Sequence, residues 1–137
     1  MAVFEPATVL EYSEDEDPKK VVLDAIIPLI KGIHIYRNEV LVVTAPNRTH
    51  SKGGLIIPEQ YKKEQRFQGK IGLVVALGEI AFQHADLWPN PEDRPDIGTW
   101  VFFRTADTSE CSIGGYSCRF IDDDKIRGRC DSIDTIR

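Results

Sequence analysis

Apolar positions along the chain fall into short groups of changing period. Residues 1–17 scatter Val3, Phe4, Val9 and Leu10 among acids, so this stretch reads as an acidic N-terminal arm whose Ser13–Asp17 run faces water. Asp17-Pro18 is a helix-start signal, with aspartate as N-cap and proline at the first helical position. The Lys19–Ile27 segment then sets Val22, Leu23, Ile26 and Ile27 on one helical face, and Pro28 or Gly32 closes it, so 18–32 is predicted to be a short helix and linker. From Ile33 the pattern changes to that of strands. Ile33–Ile35, Glu39–Thr44, Ile71–Leu77 and Thr99–Arg104 are β-branched or aromatic and too short for helices. Glu110–Ile113 and Tyr116–Ile121 flank Gly114-Gly115, the strongest hairpin signal in the chain. Short strands between turns predict a mainly β fold, a small barrel or sandwich.

Two stretches interrupt this pattern. Residues 79–98 hold Pro89, Pro91 and Pro95 and are predicted to form an excursion without regular structure. Residues 45–70 are polar except for Gly53-Gly54-Leu55-Ile56-Ile57-Pro58. So long a loop in a compact domain points to function or disorder. Its aliphatic tripeptide is costly to leave in water, which leaves two readings open. Either Leu55, Ile56 and Ile57 tuck into the chain's own fold, or they bind a partner. The organisation expected is therefore an arm (1–17), a helix and linker (18–32), a β domain (33–128) and a C-terminal tail (129–137).

Composition narrows the function classes. The chain has 137 residues, enough for one domain with a buried core, and a formal charge of −5 from 17 Lys+Arg and 22 Asp+Glu. Six of the acids and none of the basic residues lie in residues 1–18, so the rest of the chain is close to neutral. Nucleic-acid binding needs clustered Lys and Arg, and no such cluster is present. No apolar run approaches the roughly 18 residues of a membrane span, and the N-terminus does not read as a signal peptide. Three cysteines form no disulfide framework and suggest a reducing compartment.

Motifs for chemistry are missing. His34, His50 and His84 lack ligand spacing, and Cys111, Cys118 and Cys130 show no C-x2-C pattern, so no metal is expected. Lys52-Gly53-Gly54 is not a phosphate loop, and no Gly-x-Ser-x-Gly elbow occurs. Asp122-Asp123-Asp124 lacks the alternate ligands of a calcium loop and reads as a solvated turn. The chain is read as a non-enzyme. A two-residue turn at Gly114-Gly115 would set Cys111 opposite Cys118, within disulfide reach, with two reduced thiols as the alternative.

The segments, in order, resemble those of the GroES-type co-chaperonins, the ten-kilodalton lids of the chaperonin folding chamber. Glu39–Val43 looks like the first barrel strand, Ser51–Ile57 like the mobile loop, and Gly72–Gly78 like the strand leaving it. Ile97–Phe103 resembles the strand after the roof excursion, and Ile113–Ile126 the closing hairpin with its acidic turn. The resemblance covers residues 35–128 and is nearest to the divergent members encoded by tailed bacteriophages and prophages. The departures are Asn38-Glu39 where the family commonly has Asp-Arg, Thr99 in place of Asp, Pro58 after the tripeptide, and the extensions at both ends.

The resemblance implies a GroES-like β-barrel with a mobile loop at 45–70 and a roof excursion at 79–98. It implies a chaperonin ring, host or viral, as partner, bound through Gly53, Gly54, Leu55, Ile56 and Ile57. It also implies a homo-oligomeric ring, a heptamer in the family, in a bacterial host's cytoplasm. No cofactor is implied, since ATP is bound by the chaperonin. Phe82, Leu87 and Trp88 in the roof excursion would either meet neighbouring subunits or fold back on the barrel. A second reading keeps the barrel but makes the chain a virion structural protein, a capsid or tail accessory that clasps other virion proteins with its arm and loop.

Overall fold

The computed structural model describes residues 8–13, 15–50 and 70–136, with backbone alone at 49–50 and 135–136. Among these residues the architecture is mainly β, as expected, with one α-helix. The strands are β1 (Glu11–Ser13), β2 (Glu39–Thr44), β3 (Asn47–His50), β4 (Ile71–Leu77), β5 (Trp100–Phe102), β6 (Thr108–Ile113), β7 (Tyr116–Asp122) and β8 (Gly128–Cys130). Six of them form one antiparallel sheet in the order β6-β7-β2-β4-β5-β8, and β1 pairs with β3 in a separate parallel pair.

The helix α1 (Pro18–Ile26) starts where the sequence predicts, the Asp17 carboxylate accepting the Lys19 N–H at 3.1 Å. Val22 and Ile26 are fully buried, but Ile27 is 38% exposed. The reason is that the helix tightens at Ile27–Leu29 into a 3-10 turn, which rotates Ile27 off the apolar face. The predicted strand at Ile33–Ile35 does not form. That segment is irregular; Ile35 is buried in the core and Ile33 packs, partly buried, against it.

The central strands β2 and β4 are buried on both faces, which explains their nearly unbroken aliphatic runs. Leu41, Val43, Leu73, Val75 and Trp100 face one side, where Tyr12, Val22, Ile26, Ile35 and Ile133 cover them. Val40, Val42, Val74 and Val101 face the other, covered by Ala81 and Phe82. Each fully buried aliphatic contributes about 1.5–3 kcal/mol relative to exposure. The first cover comes from the two ends of the chain and the second from the 79–98 excursion.

The hairpin forms as read. Gly114 and Gly115 have φ of 58° and 87°, the left-handed pair a two-residue primed turn requires, and Cys111 lies opposite Cys118. The arm is not simply solvated. Thr8 bridges to Tyr116, Tyr12 is 1% exposed, and its hydroxyl donates to Asp134 Oδ1 at 2.7 Å. Asp15, Glu16 and Asp17 are exposed, as expected.

Candidate partner-binding site

The chain leaves the sheet after Thr44 and rejoins it at Ile71 through a closed neck. Thr44 pairs with Gly72, and the Ala45 N–H donates to the Ile71 carbonyl at 3.1 Å. The Thr44 and Ser117 hydroxyls share a buried 2.8 Å hydrogen bond that ties this neck to β7. After Pro46 the outgoing chain continues as β3, set against β1 of the arm. On the return side the Lys70 carbonyl accepts the Phe103 N–H at 2.9 Å, so the chain re-enters directly into the sheet. The residues singled out for partner binding, Gly53, Gly54, Leu55, Ile56 and Ile57, lie outside the described residues. What the structure supplies is their frame, a rigid neck and a paired outgoing stem.

The roof residues separate into two kinds. Phe82 is 1% exposed and adopts φ of 60°, an uncommon value for a bulky residue. Its N–H donates to Asp123 Oδ2 at 2.8 Å, and its ring meets Trp88 edge-on at 4.9 Å. Trp88 is half-buried, and its carbonyl accepts from Arg94 Nη2 at 2.9 Å and Nε at 3.2 Å. Phe82 and Trp88 thus fold back on the chain's own sheet. Leu87 stays 54% exposed, and Ile80 at 54% and Ile97 at 52% are two further exposed aliphatics of the same region.

Asp123 corrects the reading of the acidic turn. Asp122 and Asp124 are exposed, but Asp123 is 3% exposed and also accepts from Asn38 Nδ2 at 3.0 Å. One carboxylate therefore joins the end of β7, the approach to β2 and the start of the roof excursion. The signal was present in the alternation, since Ile121 in and Asp122 out put the next residue in.

The thiols are arranged for packing rather than reactivity. Cys111, Cys118 and Cys130 are all free. Burial, with the nearby Cys111 adding to it, pushes the Cys118 thiol up to about 12, and burial also raises Cys111 and Cys130. A neutral, buried thiol is a poor nucleophile. Among the described residues no group of three or more His, Cys, Asp or Glu side chains is placed to hold a metal ion. Nor is any helix long and apolar enough to cross a membrane.

The family model for the chaperonin 10 kDa subunit matches residues 33–129. The chain belongs to the chaperonin 10 kDa subunit family. No curated protein matches it. The family match begins after α1 and ends within β8, so it takes in the neck, the long loop, the roof excursion and the hairpin. What lies before it, β1 and α1, is an addition to the chaperonin 10 frame, yet Tyr12, Val22 and Ile26 sit in the core of that frame.

Proposed function

We propose that this chaperonin 10 family member is a lid subunit that binds a chaperonin ring through Leu55, Ile56 and Ile57 and assists protein folding. The observation that carries the reading is the family match across 33–129, with the 45–70 stretch that holds the tripeptide running between the adjacent central strands β2 and β4. Aliphatic anchors suit an apolar groove on the partner. Burying each is worth roughly 1.5–3 kcal/mol, while ordering a loop residue costs on the order of 1–2 kcal/mol, so one loop binds weakly. A ring of identical subunits, a heptamer on the family pattern, would multiply weak contacts through effective concentration and still permit release. Gly53 and Gly54 supply the pliancy the loop needs, and Pro58 limits how far a bound strand extends. ATP belongs to the partner ring in this scheme, and the chain takes no cofactor. On its resemblance to phage-encoded members that carry N-terminal extensions, we read the chain as a divergent phage-encoded member acting in the host cytoplasm.

The competing reading is a virion protein that clasps neighbours with its arm and loop, and it needs Thr8–Ser13 of the arm free of the chain's own fold. Tyr12 at 1% exposure and the pairing of β1 with the chain's own β3 favour the lid instead. The test is Ile56→Asp in the full chain, read by ATP-dependent co-migration with a chaperonin ring. We expect binding to be lost while far-UV circular dichroism stays that of the wild type. Undiminished co-migration of the variant would refute the assignment.

A further inference from the structure

The arm touches the chaperonin 10 frame at a telling place, the outgoing stem of the loop. Glu11 pairs with Asn47, Tyr12 with Arg48 and Ser13 with His50, and the Asn47 N–H donates to the Leu10 carbonyl at 2.9 Å. A two-stranded parallel pair has little stability of its own, so something else must hold β1 there. Three anchors do. Upstream, the Thr8 N–H donates to the Gly115 carbonyl at 2.6 Å and the Ser117 N–H to the Thr8 carbonyl at 2.8 Å. In the middle, the Tyr12 ring is buried among the core residues that face Leu41, Val43 and Trp100, and its hydroxyl donates to Asp134 Oδ1. Downstream, Val22 and Ile26 of α1 are fully buried on the same face. The return side of the loop needs no such help, because Lys70 and Ile71 join the sheet directly.

From this arrangement we infer that the segment Thr8–Ser13 is a positioning strap, with Tyr12 its principal positioning residue, which sets the course of the loop stem before a partner is met. The inference rests on the lid reading above. By holding β3 in one conformation, the strap removes part of the ordering cost that partner binding would otherwise carry, so affinity for the ring depends on a segment that does not touch it. Tyr12 acts through β3 and makes no partner contact of its own.

The test uses the full chain with three substitutions, Tyr12→Ala, Tyr12→Phe and Asp134→Ala. The last two each remove the Tyr12–Asp134 hydrogen bond and keep the Tyr12 ring in place. Amide hydrogen exchange is followed at Asn47–His50 and at Ile71–Leu77, and binding is measured against a bacterial chaperonin ring with ATP. We expect Tyr12→Ala to speed exchange in the stem by about tenfold or more while the β4 amides keep their protection. Ring affinity should fall by about tenfold or more, since a small loss per loop is multiplied around a ring. Tyr12→Phe and Asp134→Ala should each show the same two effects at several-fold size. If Tyr12→Ala also strips protection from β4, the two milder variants carry the test. Faster stem exchange with unchanged ring affinity would overturn the positioning role and leave the lid reading standing. Unchanged stem exchange in all three variants would overturn the strap itself. Failure of the wild-type chain to bind any ring would remove the lid reading, and this inference with it.

Discussion

Replacing Asp123 with alanine should be the most damaging single change to a charged residue in this chain. The carboxylate accepts two hydrogen bonds, from the Phe82 N–H at 2.8 Å and from Asn38 Nδ2 at 3.0 Å, and the residue is 3% exposed. Removing it leaves the Phe82 N–H buried without an acceptor, and an orphaned buried donor costs about 1–3 kcal/mol. Asn38 is only half-buried, so water can take over part of its bond, and its loss adds about 1 kcal/mol. Phe82 also holds φ of 60°, a conformation the Asp123 contact helps to stabilise. A total near 3 kcal/mol follows. For a domain of this size that lowers Tm by about 10 °C. The assay is differential scanning calorimetry at fixed protein concentration, because ring assembly would itself raise Tm. Asp123→Asn keeps the shape but turns one acceptor into a donor facing a donor, so it should recover less than half of the loss. A double-mutant cycle with Asn38→Ala should show coupling, since the two side chains share one bond. A Tm drop under about 2 °C for Asp123→Ala, or wild-type stability for Asp123→Asn, would refute the reasoning.

Three further outcomes are expected. A Cβ at Gly78 would run into the Arg37 carbonyl and lie 2.7 Å from that of Tyr36, backbone that cannot step aside; Gly78→Ala should cost about 3 kcal/mol in urea unfolding, and a midpoint unchanged from wild type would contradict the crossing. The Cys118 thiol has its ordinary value of 9.0 raised to about 12, so the unfolded chain gives up that proton first and stability should fall as pH climbs from 9 towards 12. Iodoacetamide at pH 8 should accordingly label Cys118 far more slowly than Cys130 in the folded chain and equally fast in urea; equal native rates would count against its burial. A truncated chain starting at Ile33 loses Tyr12, Val22 and Ile26 from over Leu41, Val43 and Leu73, and should melt earlier and bind a hydrophobic dye; wild-type Tm with no dye binding would show those residues to be dispensable.

The elements legible in the sequence are those whose cause is local. Asp17-Pro18 marks the helix start because capping chemistry involves only neighbours. The run Val40–Thr44 and the Gly114-Gly115 turn fix strands and register for the same reason, down to Cys111 opposite Cys118. What was not legible depends on partners distant in the chain. Glu-Tyr-Ser and Asn-Arg-Thr-His show no alternation, and they become β1 and β3 only because the fold sets them side by side. Ile33–Ile35 has strand composition but no neighbouring strand, and composition alone does not make a ladder. Gly-Arg-Cys at β8 is a strand through pairing with Trp100–Phe102, while Ile133 just beyond it is fully buried. At the candidate site, Leu55, Ile56 and Ile57 stand out by their chemistry, an aliphatic tripeptide among polar residues. The strand β3 that precedes them does not, because its partner is the arm.

The acidity of the arm misleads when taken as a sign of detachment. Six acids and no basic residue in residues 1–18 describe a segment that composition would leave in water. Yet the acids that are described, Glu11 and Asp15 to Asp17, sit on its outer side, while Leu10 and Tyr12 pack inward. Charge and anchoring are carried by different residues of the same strand, as the two faces of an extended chain allow. The attachment is therefore made by backbone pairing, by the buried Tyr12 ring with its hydroxyl on Asp134, and by the buried face of α1, none of them a pair of opposite charges, whereas charge pairs between exposed groups would weaken over about 8 Å at physiological ionic strength. Glu11, Asp15, Glu16 and Asp17 are all exposed, and two of them also act locally, Asp17 capping α1 and Glu16 accepting from the Ser13 N–H. That division lets one short segment be strongly acidic and still contribute Leu10 and Tyr12 to the core.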